Sequence, residues 1–296
     1  MTSEEGSSME RRSGIPARVR RVSGELRELR DRNGFSAAEV SRSLGISMSK
    51  LSRMETGTRG LAADDVAALL GLYRVPTQRR EEILALVRNG TDRNWWQVQH
   101  AALPAMWQDL MRFESEATAI HGWETQFIPG LLQTDEYAEA VIRGTTHELP
   151  EREVRRLVEA RIGRQTVLLG SRAPRLEVLL DEPVLRRPTA DPGVMRRQLL
   201  RLAESNLRPN VTVRMVPQRA GIHPGMEGPF VLLDFPKQPN LVYLEHRGNS
   251  AFLEQPEHVD AAERSLWRLR ELAFSPDDSS EIIARLADEP AEHEKE

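Results

Sequence analysis

The stretch SAAEVSRSLGISMSKLSRMETG, from Ser36 to Gly57, decides the fold of the first part of the chain. Ser36 and Glu39 have the spacing of a capping box, which predicts a helix that begins directly after Ser36. Gly45 ends this helix, and Ser47 is a suitable N-cap for a second helix, which Gly57 terminates. The stretch therefore predicts two short helices joined by a tight turn.

The second of these helices has two different sides. Leu51 and Met54 lie three residues apart and define an apolar side that packs into a core. Ser49, Ser52 and Arg53 have the i, i+3, i+4 spacing that places them together on another, polar side. Such a polar side needs a partner, and two helices joined through a glycine turn have the geometry that enters the major groove of DNA.

Composition and charge narrow the class of protein. The chain has 296 residues, enough for two domains, and it contains no cysteine, which excludes disulfides and thiolate chemistry. Residues 11–60 hold 12 Lys or Arg against 5 Asp or Glu, although the net charge of the whole chain is -4. A basic segment on an acidic body indicates a polyanionic partner for that segment. Without an apolar run of about 18 residues or a signal-peptide pattern, we expect a cytoplasmic, nucleoid-associated protein that does not bind membranes.

The pattern of elements predicts five segments. They are a disordered tail (1–14), a helix-turn-helix domain (15–76), a helical junction (77–103), a regulatory α+β domain (104–288) and a charged tail (289–296). The predicted fold class is mainly α, with an all-α helix-turn-helix bundle followed by a larger α+β domain that has about four short strands.

The larger domain is predicted from its periodicity. Helical spacing favours helices at about Pro104–Glu124, Thr134–Arg143, Gly193–Ser205 and Pro256–Leu272. The runs RLEVLLDE, VTVRMVP, PFVLLDFP and NLVYLEH are short, rich in Val and Leu, and bounded by turn residues, which is typical of strands.

The segment LRELRDRNGFSAAEVSRSLGISMSKLSRMETGTRG, residues 26–60, resembles the helix-turn-helix of Cro/repressor-type, or XRE-family, transcription regulators. Ser41 matches the family's small residue in the second helix, Gly45 its turn glycine and Leu51 its buried aliphatic residue. The resemblance implies double-stranded DNA as the partner, read by one recognition helix. It places base reading on Met48, Ser49, Ser52 and Arg53. An arginine can bind guanine bidentately, and a methionine can contact a thymine methyl group.

The same resemblance implies a set of phosphate contacts. These fall on Ser36, Arg42, Lys50, Thr58 and Arg59, with Arg20 and Arg21 as additional contacts from the first helix. One departure is plain: the family commonly has a phosphate-binding glutamine early in the second helix, and this chain has Ala37 there. That contact, if made, must come from Ser36, Arg42 or a backbone amide.

The remainder of the chain also resembles a known group. FIPGLLQTDEYAEAVI, RIGRQTVLL, VLLDEPVLRR, RRQLLRLAE, NVTVRMVPQRAGIHPGMEGPFVLLDF and LVYLEH occur in this order. They are similar to the carboxy-terminal domain of unknown function attached to XRE-type regulators of the actinobacterial WhiJ-like group. The resemblance implies that this domain receives a signal from a small partner protein, a small-molecule effector, or both.

Catalytic and metal chemistry is sparse in the sequence. Asp181 and Glu182 are adjacent, so on a continuing strand they point to opposite faces, which is poor geometry for a paired general acid and base. His223 and His246 are not part of a recognisable metal-ligand spacing. We therefore expect a protein that is not an enzyme and has no catalytic residues, cofactor or metal.

Aromatic residues cluster in the first part of the larger domain. A candidate ligand pocket is formed by Trp96, Trp107, Trp123, Phe127 and Tyr137. The alternative, which we favour, is that these bulky side chains simply form core between helices and sheet.

The sequence predicts a DNA-binding transcription regulator that acts as a homodimer, because one recognition helix covers only a few base pairs. The alternative is a protein-interaction adaptor, in which the helix-turn-helix fold and the second domain serve mainly to dock a small partner protein. The absence of the glutamine at Ala37 and the modest basic surplus favour this alternative.

Overall fold

The structure is a computed structural model that describes residues 17–58, 61–88, 103–146, 149–236, 238–246 and 249–289. The described residues up to Arg88 belong to one compact unit, and those within 103–236 and 240–289 belong to a second. Within these ranges, no helix combines the length and apolar character needed to cross a bilayer.

The described part of the first unit is helical. Its helices are α1 (Ala17–Arg32), α2 (Ala37–Leu44), α3 (Met48–Thr56), α4 (Ala63–Leu72) and α5 (Thr77–Arg88). Each helix contributes a fully buried aliphatic side chain to the core, namely Leu26, Val40, Leu51, Leu69 and Ile83. The predicted all-α bundle is confirmed.

Helix α5 was assigned to a junction on the basis of sequence, but it is part of the first unit. It packs on α1 and α4, and Ile83 is fully buried. An ion pair of 2.7 Å between Arg79 and Glu25 also joins α5 to α1. The surface of α5 is charged, and only a narrow apolar side of the helix faces the bundle. The sequence pattern therefore did not reveal these contacts.

The second unit combines helices with one mixed sheet. Its helices are α6 (Leu103–Glu116), α7 (Asp135–Thr145), α8 (Glu151–Arg164), α9 (Glu182–Arg186), α10 (Pro192–Ser205), α11 (Pro256–Leu272) and α12 (Pro276–Asp288). Its strands are β1 (Ala119–Glu124), β2 (Arg175–Asp181), β3 (Val211–Val216), β4 (Phe230–Asp234), β5 (Leu241–His246) and β6 (Asn249–Leu253). The strand order is β3-β2-β1-β4-β5-β6.

The sheet is parallel on one side of β1 and antiparallel on the other. β1 pairs with β2 and β2 with β3 in parallel, with His121 opposite Glu177 and Glu177 opposite Thr212. β1 pairs with β4, β4 with β5 and β5 with β6 in antiparallel fashion. The helices between the parallel strands, α7 and α8 before β2 and α10 before β3, serve as crossover connections. The predicted α+β class is confirmed.

Two strands were missed in the sequence analysis, and one predicted helix was too long. The helix expected over Pro104–Glu124 ends at Glu116, and β1 begins at Ala119. β1 is a central strand with neighbours on both sides, so long-range pairing overrides the helical periodicity that continues into it. β6 follows β5 as a hairpin and has little strand pattern of its own.

Asp181 and Glu182 do not continue one strand. β2 ends at Asp181, and Glu182 is the first residue of α9, with Pro183 at a favourable early helical position. The Glu182 carboxylate accepts hydrogen bonds from the backbone N–H of Gln218 and from Arg186, at 3.0 and 3.1 Å. These contacts give Glu182 a structural role at the end of the sheet.

Candidate nucleic-acid interface

Helix α2 and the turn that follows it are set by local interactions. The Ser36 side chain accepts a hydrogen bond from the Glu39 backbone N–H at 3.3 Å, and the Glu39 carboxylate accepts one from the Ser36 N–H at 2.8 Å. This is the predicted capping box. Gly45 adopts a left-handed conformation with φ of 62°, and its N–H donates to the carbonyl of Ser41. A residue with a Cβ would be strained there, which explains the glycine.

Helix α3 is held against the bundle by its apolar side. Leu51 is fully buried and Met54 is 2% exposed. The Ser47 side chain caps the helix by accepting a hydrogen bond from the Lys50 N–H at 3.1 Å, and Gly57 ends it with a φ of 71°. Sequence alone therefore located both ends of this helix correctly.

A bidentate ion pair fixes α3 relative to α1. Nε and Nη2 of Arg30 donate to the two carboxylate oxygens of Glu55 at 2.8 and 3.0 Å. The side chain of Glu55 is only 8% exposed, so the pair is screened less than a surface pair. The hydrogen bond to Glu55 raises the pKa of the Arg30 guanidinium above its ordinary value. This pair was missed in the sequence analysis, because 25 residues separate its partners.

The opposite side of α3 faces solvent. Met48 is 56% exposed, and Ser49, Ser52 and Arg53 are also exposed. Nε of Arg53 donates to the carbonyl of Ser49 at 3.2 Å. The four residues predicted to read bases thus share an accessible position on one short helix.

The predicted phosphate contacts differ in availability. Ser36 is exposed, but its hydroxyl is engaged with Glu39 in the capping box. Arg42 and Thr58 are exposed, whereas Nζ of Lys50 forms an ion pair of 2.7 Å with Asp65 at the start of α4. Arg59 lies outside the described residues.

Arg20 and Arg21 do not have the position that the sequence suggested. Their relative exposure is 6% and 4%, so these side chains offer almost no surface to a phosphate. The charge of the residues suggested a solvated helix face, but α1 buries this side in the unit. This burial does not favour phosphate contacts from these two arginines, which stay a prediction.

This geometry defines a helix-turn-helix protein, and comparison with protein families agrees. A helix-turn-helix domain model matches residues 21–83, which suggests a DNA-binding regulator. A model described as a domain of unknown function, DUF5753, matches residues 107–285. The chain belongs to this DUF5753 family. Searches of curated proteins and of solved structures gave no match.

The aromatic residues of the second unit are in part core. Trp123 is fully buried, and its Nε1 donates to the carbonyl of Gly225 at 2.7 Å. Tyr137 is 3% exposed, and its hydroxyl accepts a hydrogen bond from the N–H of Ile128 at 3.4 Å. Phe127 is half-buried. Trp96 and the side chain of Trp107 lie outside the described residues. The contacts of Trp123 and Tyr137 favour the core interpretation for those two.

His223 contacts an aromatic ring rather than a second histidine. Its ring stands edge-on to that of Trp123, with centroids 5.4 Å apart. The side chain of His246 lies outside the described residues. Among the residues for which side chains are described, no group of three or more His, Asp or Glu is arranged to hold a metal ion.

A charged network on the sheet was missed in the sequence analysis. The two ring nitrogens of His121 lie 2.9 Å from Glu177 and 3.2 Å from Asp234, and Arg270 of α11 also binds Glu177. Burial alone would lower the pKa of His121, but the hydrogen bonds to Asp234 and Glu177 raise it to about 9. Burial alone would raise the pKa of Glu177, but His121 and Arg270 lower it to about 2. His121, Glu177 and Arg270 are therefore charged at neutral pH, and their contacts tie α11 to the sheet.

A second cluster of titratable groups in this unit lies at the end of β1. Burial, together with the negative charge of Glu245, raises the pKa of Glu124 to about 8. Nearby, Arg164 makes a bidentate contact with Glu114 at 2.7 and 2.8 Å. Since that arginine is already paired, it compensates the charge of Glu124 only in part.

Proposed function

We propose that this protein is a sequence-specific DNA-binding transcription regulator, in which α3 is the recognition helix. The observation that carries the proposal is the exposed polar side of α3. Met48, Ser49, Ser52 and Arg53 are accessible there, while Leu51 and the Arg30–Glu55 pair hold the opposite side in place. A rigid helix with accessible small and cationic side chains suits base reading in a major groove.

Affinity comes from a smaller phosphate-binding set than the sequence suggested. Arg42 and Thr58 are exposed. Arg59 is included in the set because it follows the helix-turn-helix motif in the sequence. Because these contacts are few for one domain, a homodimer that binds two half-sites is the functional unit in this proposal. Its half-sites would lie about one helical turn, roughly 34–36 Å, apart.

The second unit is assigned a regulatory role in this proposal. Residues 15–76 would bind DNA, and residues 104–288 would receive a small-molecule or protein signal, as expected for the actinobacterial WhiJ-like group that the sequence resembles. The family match to a domain of unknown function is compatible with this role and does not specify the signal.

Selection of bound sequences from a random duplex pool, with the full-length protein, tests the proposal. We expect an inverted repeat, and we expect Arg53→Ala to relax one base position of each half-site by about 1–3 kcal/mol. Arg27→Ala, which removes an exposed arginine of α1, is the matched control and should leave the recovered sequence unchanged. Uniform loss of affinity with Arg53→Ala would refute the base-reading role.

The adaptor function is the second candidate, and specific observations favour it. Ala37 replaces the usual phosphate ligand, Arg20 and Arg21 are buried, and Lys50 is paired with Asp65. If the pool yields no motif at any salt concentration, the adaptor function replaces the one proposed above.

A further inference from the structure

Lys50 of the recognition helix is held by a carboxylate of the next helix. Its Nζ lies 2.7 Å from Oδ1 of Asp65, and the two side chains are 33% and 29% exposed. Asp65 is in the first turn of α4, with Val66 next to it fully buried, so the carboxylate starts from a well-anchored backbone. Lys50 is near the start of α3, and the Ser47 cap fixes its backbone N–H. Both partners therefore project from ordered positions.

The three cations of α2 and α3 are not equivalent. Arg42 and Arg53 are exposed and donate from Nε to backbone carbonyls four residues earlier. Within the described residues, neither has an ion-pair partner, whereas Lys50 has Asp65. A carboxylate at 2.7 Å occupies one of the three donors of this ammonium group and offsets its charge, so the contact of Lys50 with a DNA phosphate is weakened.

We propose that Asp65 withholds Lys50 from DNA phosphates and thereby limits the affinity of this protein for DNA of any sequence. The inference rests on the proposed DNA-binding function. Phosphate contacts raise the affinity for every sequence to a similar degree, whereas base contacts distinguish the operator from other sequences. By competing for Lys50, Asp65 lowers the affinity for the operator and for other sequences by a similar factor, which keeps binding outside the operator weak.

Asp64 provides a matched control. It precedes Asp65 in the same first turn of α4, is exposed, and within the described residues has no ion-pair partner. Asp64→Asn and Asp65→Asn remove the same charge from the same helix N-terminus, so both have similar effects on the helix dipole and on the general potential. Only Asp65→Asn releases Lys50.

The test measures the affinity of the full-length protein for its selected duplex and for a scrambled duplex of equal length, over a series of salt concentrations. For the scrambled duplex, Asp65→Asn should increase affinity by at least about threefold at low salt and steepen the slope of log K against log salt by about 0.9. The affinity for the selected duplex should rise by a similar factor, so the ratio of the two affinities should change little. Asp64→Asn should change the slope by much less, and the double variant Lys50→Met, Asp65→Asn should return the slope to the wild-type value.

Two results would overturn the inference while leaving the proposed function intact. One is equal behaviour of the Asp64 and Asp65 variants. The other is loss of affinity for the selected duplex with an unchanged salt slope, which would mean that Asp65 orients Lys50 towards DNA. If the wild-type protein binds neither duplex, the proposed function itself fails. Thermal unfolding of each variant distinguishes these results from loss of the fold.

Discussion

Gly225 is the position where a single added methyl group should be most damaging to the second unit. It is buried in the short 3-10 helix Pro224–Glu227, directly against Trp123 of β1. A Cβ at Gly225 would lie 2.5 Å from Cε2 and 2.6 Å from Nε1 of the Trp123 indole. The indole is fully buried and cannot swing away as the end of a flexible side chain could.

Gly225→Ala should therefore destabilise the protein by two effects. Overpacking a well-packed core costs about 1–3 kcal/mol. Movement of the segment would also weaken the hydrogen bond of 2.7 Å from Trp123 Nε1 to the Gly225 carbonyl, at a cost of about 1 kcal/mol. Together, the expected loss is about 2–4 kcal/mol, or a fall in Tm of roughly 5–15 °C for a unit of this size.

Urea unfolding by near-UV circular dichroism measures the loss in unfolding free energy, and hydrogen exchange of the Trp123 indole N–H reports on the contact itself. Gly144→Ala is the control, because no atom lies within 4 Å of its added Cβ and it is in helix α7. That variant should be neutral, or more stable by up to about 1 kcal/mol. If Gly225→Ala unfolds at the wild-type midpoint with unchanged indole exchange, the reasoning from close packing is refuted.

Two further predictions concern the bundle and the charged network. Leu51→Ala should reduce the unfolding free energy of the first unit by about 2–5 kcal/mol, because Leu51 is fully buried. Met48→Ala, at an exposed position of the same helix, should change that free energy by less than about 0.5 kcal/mol. Equal effects of the two substitutions would contradict the assigned orientation of α3. The pKa of His121 is raised to about 9 from an ordinary value of 6.5, so its stabilising contribution is complete below pH 6.5 and is lost as pH rises through 9. Between pH 6.5 and 9 this contribution makes the unfolding free energy fall by at most about 1.4 kcal/mol per pH unit, and His121→Gln should abolish that fall. Urea unfolding at pH 6 to 9.5 measures it. An unchanged slope would show that His121 is not the titrating group.

The helix-turn-helix was predictable because its signals are local. The Ser36 and Glu39 cap, the turn at Gly45 and the Ser47 cap are all satisfied within a few residues of the chain. Interactions over such short separations depend only on residues that are close together in the sequence. They can therefore be predicted without knowing the rest of the fold. The two sides of α3 follow from the same helical spacing.

The second unit was less predictable, because its sheet is built from distant segments. β1 is a strand because it pairs with β2, more than fifty residues later, and with β4, more than a hundred residues later. Ile120, for example, pairs with Leu176 and with Leu233. Its own sequence, AIHGWE, has no alternation that would reveal a strand. The buried tryptophan contact at Gly225 likewise joins residues 102 positions apart.

For this protein, the sequence by itself determined the class of the first unit, the ends of α3, and the residues that share the exposed side of α3. Tertiary structure alone decided which charges are available there: Arg20 and Arg21 are buried, and Lys50 is paired with Asp65. A helix cap or turn depends on neighbours along the chain. The availability of a charge depends on the groups that folding brings beside it, since burial and ion pairing act through space.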